Sequence, residues 1–130
     1  MHEETKNWLE MAEYDLKTAN HMMKAGRNIY VIFMCHLAIE KLLKAIYVET
    51  AGKTPPKTHD LILLSEKSSV EFPRQMSEFV GMINNASVAT RYPHDLSELK
   101  SSYPKKVAEE YLKRTKEVTR WLKKHPKLSK

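Results

Sequence analysis

The sequence has one cysteine, Cys35, and only three glycines in 130 residues. One cysteine excludes an internal disulfide and a cysteine-built zinc site. It also points to a reducing compartment, and so to a cytoplasmic location. There is no Gly-rich phosphate loop and no HExxH pair. Long apolar runs are missing too. The most apolar stretch, Ile29 to Leu43, is broken by His36 and Glu40. It is short of the ~20 residues that a bilayer span needs, so it reads as a buried core helix. The opening MHEETKNW is acidic and carries no apolar run, so it does not read as a signal peptide. The six histidines fall at 2, 21, 36, 59, 94 and 125. None pairs with another at helical spacing, so neither a metal nor a cofactor is called for.

What is present is helical periodicity. Hydrophobic residues make up 42% and charged residues 29% of the chain, which fits a globular protein. Trp8, Ala12, Leu16, Ala19 and Met23 step by four and three, predicting an amphipathic helix over about 4–25 that Gly26 ends. Residues 28–50 are apolar around most of the helix circumference, which marks a central helix. Gly52 and the pair Pro55–Pro56 then force a loop. Thr58 or Asp60 is placed to cap a short helix over 60–68. Pro73 opens another that runs to about 89, and Pro93 prevents its continuation. A last helix starts near Pro104. Val107, Ala108, Tyr111, Thr115, Val118 and Leu122 share one arc of it. Lys106, Lys113, Lys116, Arg120, Lys123, Lys124 and Lys127 share the other. The expected fold is all-α: an up-and-down antiparallel bundle of four long helices and one short one. A single domain spans 1–130, with its core over about 5–125 and the end frayed.

Charge is unevenly placed. The formal net charge is +6. Residues 104–130 carry ten Lys/Arg against three Glu, for +7, and residues 1–103 carry twelve against thirteen acidic groups, for −1. The basic excess therefore belongs to the last helix, where it either suits a polyanion or is simply a solvated face.

Three constellations bear on chemistry. His36, Glu40 and Lys44 step by four along the central helix, with Lys41 beside them. The simpler reading is a polar stripe facing water. The sharper one is the lining of a cleft or subunit interface, with a proton carrier, an orienting carboxylate and a phosphate partner. His59, in PPKTHDL, stands where it can cap the next helix or meet an anion at its positive end. Residues 90–96 read TRYPHDL. Arg91 offers a fork of donors to phosphate, Tyr92 a ring for base stacking, and His94 a proton carrier near neutral pH. The plainer reading of the same segment is a helix stop, with Tyr92 packed into the core.

Four segments in order, NWLEMAEYDLKTANHMM, CHLAIEKLLKAIY, PPKTHDL and TRYP, closely resemble the HEPN domain (higher eukaryotes and prokaryotes nucleotide-binding), over roughly residues 5–125. AIEKLLKA and TRYP are the more specific parts. The resemblance implies an all-α bundle that commonly forms a homodimer and interacts with nucleotides or RNA. Many such proteins are metal-independent ribonucleases that act as toxins, encoded beside a small nucleotidyltransferase that serves as antitoxin. Others only bind. Active members carry an arginine, four to six residues, then a histidine. Arg91 matches the arginine. The positions for the histidine hold Leu96, Ser97 and Glu98, and His94 follows after only two residues. The chain thus looks like the branch with RYP at that point, with a degenerate cleavage motif. The expectations are Arg91 and His94 as catalytic candidates, and Lys41, Lys44, His59, Arg91 and Tyr92 as nucleotide or RNA contacts. Binding of nucleotide or RNA phosphate in a homodimer groove comes first. A ribonuclease with an altered Arg/His pair and a non-catalytic interaction partner are the alternatives.

Overall fold

Apolar residues surround most of the second helix, and it takes the centre of the fold. The computed structural model describes residues 1–92 and 95–129. Among them, helices run in the order α1 (Glu3–Lys24), α2 (Asn28–Ala51), α3 (Leu61–Lys67), α4 (Arg74–Arg91), α5 (Leu96–Ser102) and α6 (Lys105–Lys123). No strand occurs among the described residues. α2 packs against each of the other five helices. Its Ile32, Ile39, Leu42, Leu43 and Ile46 are fully buried. Each such side chain contributes ~1.5–3 kcal/mol relative to an exposed one. Cys35 lies wholly inside this core, and burial pushes its thiol pKa up to about 12.

The helix ends follow local chemistry. Gly26 and Gly52 hold positive φ of 74° and 67°, which costs glycine nothing. Gly52 closes α2 by donating its N–H to the Val48 carbonyl at 2.8 Å. Asp60, not Thr58, caps α3: its side chain accepts from the Ile62 and Leu63 amides. The Thr58 hydroxyl instead accepts from the Asp60 amide at 3.1 Å. Pro73 and Pro104 each stand immediately before a helix, at the starts of α4 and α6.

The layout departs from expectation at one element. The TRYPHDL segment is followed by a second short helix, α5, where only a connection was foreseen. Asp95 caps it, accepting from the amides of Ser97 (2.8 Å) and Glu98 (3.4 Å). α6 buries Ala108, Thr115, Val118 and Leu122 and turns Lys106, Lys113, Arg120, Lys123 and Lys124 outward, as its pattern requires. Phe72 packs on Trp121 with ring centroids 5.5 Å apart. Beyond α6 the chain turns back on itself. The amides of Leu128 and Ser129 donate to the His125 carbonyl, and Leu128 packs against the core.

Candidate functional site

Successive turns of α2 present His36, Glu40 and Lys44, and this row does not face water. His36 is 1% exposed, Glu40 2%, and Lys44 is buried as well. The loop before α3, the end of α4 and Trp8 of α1 bring partners to it. Burying charges is costly unless they are paired, and here they are. Glu40 is the hub. One carboxylate oxygen accepts from Lys44 Nζ at 3.2 Å, and the other meets His59 Nδ1 at 2.8 Å. Lys44 Nζ also lies 5.2 Å from the centroid of the Trp8 ring, a cation–π contact.

His36 is held neutral. Burial lowers its pKa to about 4, against the pull of Glu40 and with the push of Arg91. Its 3.8 Å approach to Glu40 is therefore no ion pair near neutral pH. A neutral imidazole can accept, and Arg91 Nη2 donates to its Nδ1 at 3.4 Å. Arg91 is the last residue of α4. Its Nε donates to the Ser87 hydroxyl at 3.2 Å, and its guanidinium carbon lies 4.8 Å from the centroid of the Phe33 ring. All three of these partners are uncharged. No carboxylate among the described residues pairs with Arg91.

The structure thus brings together Arg91, His36, Glu40, His59 and Lys44. Lys41 stands apart from them. It is ion-paired with Asp15 of α1 at 2.6 Å and stitches the first two helices. His59 does not cap α3. It sits one residue before the true cap, its side chain 62% exposed, with Nδ1 turned to Glu40. Tyr92 is not packed into the core; it is 75% exposed. It borders a cleft of about 220 Å³ whose other walls include Asp95 and Glu98, a pair that repels phosphate. His94 lies outside the described residues.

Several supporting residues escaped the sequence reading. Asn84 ties α4 to the loop that carries His59. Its carbonyl oxygen accepts from the Leu61 amide at 3.0 Å, and its amide nitrogen donates to Asp60 at 3.2 Å. Ser87 precedes Arg91 by four residues, a spacing that stacks two side chains on one helix face. Phe33 lies one turn before His36 on α2. Both spacings are visible once Arg91 and His36 are chosen. Nothing in the sequence says that these two residues meet.

A model of the HEPN domain matches residues 5–125. The chain belongs to the HEPN domain family. Among solved structures it is similar to TT1696 from Thermus thermophilus, with a TM-score of 0.79 and 22% identity over 94% of this chain and 98% of that one. It is also similar to ST0689, an archaeal HEPN homologue, with a TM-score of 0.72 and 19% identity over 92% of this chain and 94% of that one. No curated protein matches the chain. In this HEPN chain the positions where the histidine of active members would fall, Leu96, Ser97 and Glu98, form the exposed first turn of α5. The histidine that touches Arg91 is instead His36 of α2.

Proposed function

We propose that this HEPN protein binds nucleotide or RNA phosphate at Arg91, in a groove completed by a second copy of the chain. One observation carries the reading: Arg91 is oriented entirely by neutral groups. Ser87, His36 and Phe33 fix the fork without consuming its charge, so the cation is kept for an anionic ligand. The lysines differ. Lys41 and Lys44 are already matched to Asp15 and Glu40. Lys44 helps set the site's shape, Lys41 lies outside it, and both contribute little attraction.

A partner copy has a surface to cover. Met82 and Val88 on α4, Tyr92 just after it and Ile62 on α3 are exposed apolar groups. Exposed apolar groups, where they are contiguous, mark an interaction surface. A two-fold contact there would bring two copies of Arg91 toward one ligand. The same reading makes the chain one half of a toxin–antitoxin-like pair with a small nucleotidyltransferase. The cations on α6 would meet that partner's acidic surface.

Calorimetry with ATP, GTP and short RNA tests the site. Arg91→Ala removes charge-assisted hydrogen bonds worth ~1.5–3 kcal/mol, so binding weakens by about 10- to 100-fold. Lys41→Ala leaves affinity nearly unchanged. A correctly folded wild type that binds none of the three ligands rejects the reading. Co-expression with the neighbouring gene product tests the pairing, which fails if nothing co-purifies.

A further inference from the structure

A cleft of about 470 Å³ lies between the turn that joins α1 to α2 and the segment around α5. That volume falls within the range of small-molecule sites, roughly 300–1,000 Å³. The turn contributes Arg27, Asn28 and Tyr30, and the opposite wall holds Leu96, Lys100 and Tyr103. Neither Arg91 nor His36, Glu40 or His59 lines it.

Among the described residues, every charged group on the lining is positive. Arg27 and Lys100 are exposed, and neither has an acidic partner among the described residues. The backbone adds a third source of the same sign. Arg27 is the N-cap of α2, its side chain makes no capping hydrogen bond, and the first turn holds no acidic residue. The amides of Asn28, Ile29 and Tyr30 have no acceptor among the described residues. A helix start of this kind carries roughly half a positive charge. Asn28 adds an independent observation. Its Oδ1 is buried and has no hydrogen-bond partner. A buried acceptor left open is satisfied by a donor from outside the chain. The lining thus fits a ligand that carries negative charge and a hydroxyl beside it.

Both walls are held in place. Gly26, at a φ of 74°, shapes the turn, and the Arg27 amide donates to the Met22 carbonyl at 2.9 Å. The Tyr103 ring stands edge-on to Tyr111, with centroids 6.3 Å apart, and the Tyr103 amide donates to the Leu99 carbonyl at 3.1 Å. A site fixed in advance loses little freedom when a ligand enters.

We propose that this cleft is a second ligand site, taking a small phosphomonoester that bears a hydroxyl group. A phosphomonoester carries about −1.5 to −2 charge at neutral pH, which answers two cations and a helix start better than a single carboxylate does. Arg27, Lys100 and the first amides of α2 take the phosphate oxygens. The hydroxyl donates to Asn28, and the rings of Tyr30 and Tyr103 flank the rest of the molecule. Sugar phosphates and nucleoside monophosphates share this chemistry and differ by the base. The site does not depend on the reading of Arg91.

The test is titration of the full chain with inorganic phosphate, ribose 5-phosphate and AMP, followed by proton–nitrogen NMR. Each titration is repeated on Arg91→Ala, which separates this site from the one at Arg91. Ribose 5-phosphate should shift the amides of Asn28, Ile29 and Tyr30, with the same Kd in both proteins. AMP binding more tightly than ribose 5-phosphate names a nucleotide as the source, and equal or weaker binding names a sugar phosphate; either ranking supports the site. Arg27→Ala and Lys100→Ala should each weaken binding ~10- to 100-fold. Both residues are exposed, so both variants should fold. The proposal is overturned if none of the three compounds shifts those amides, if both substitutions leave the Kd unchanged, or if the shifts are confined to the end of α4 and vanish in Arg91→Ala.

Discussion

His36 is a basic side chain that the fold keeps uncharged, and the energetic consequence is measurable. Its pKa falls from 6.5 in the open chain to about 4 in the fold, chiefly through burial. The unfolded chain therefore takes up a proton that the folded one refuses. Stability is complete above about pH 6.5 and is lost as pH falls toward 4. By pH 5 the loss is about 2 kcal/mol. Urea unfolding at pH 7 and pH 5 measures it, and His36→Gln should flatten the difference. His125, whose pKa burial also lowers, is common to both proteins and cancels in that comparison. The row containing His36 was visible in the sequence as a four-residue step. Its burial was not. Spacing shows that three polar groups share a helix face, but which face the neighbours cover is decided by residues far along the chain. Here these are Trp8, His59 and Arg91. Lys41 shows the same limit. It sits beside the row in the sequence, yet Asp15 claims it.

At the level of elements, periodicity carried most of the information. The expected helix over 4–25 is Glu3–Lys24, and the one over 28–50 is Asn28–Ala51. These boundaries were legible because glycine and proline punctuate them. α5 was not, because no residue of it is buried and so it leaves no apolar rhythm. Its signal lay in Asp95 followed three places later by Glu98, a cap rather than a stripe. Caps also matter at the site. Asp60 accepts two α3 amides and the Asn84 side chain, and it adjoins His59. Asp60→Ala should cost about 1 kcal/mol, read from the urea midpoint.

For the whole molecule, the all-α bundle and its central helix follow from the sequence, because an apolar circumference leaves α2 no other place. The proposed pairing of two copies was expected from the family resemblance and not from any one residue. An exposed apolar residue looks the same in a sequence as a buried one. Light scattering after size exclusion should give twice the chain mass for wild type. Val88→Glu should give a single chain that has lost most of its affinity for RNA, since one Arg91 is then left to hold the ligand alone. Cys35 adds a built-in gauge of the fold's integrity. Its sulfur lies in the core, with burial holding it in the thiol form. An alkylating reagent can reach it only in molecules that have come apart around α2. The rate at which wild type and each variant take up such a label therefore counts how often the bundle opens, with no cysteine introduced.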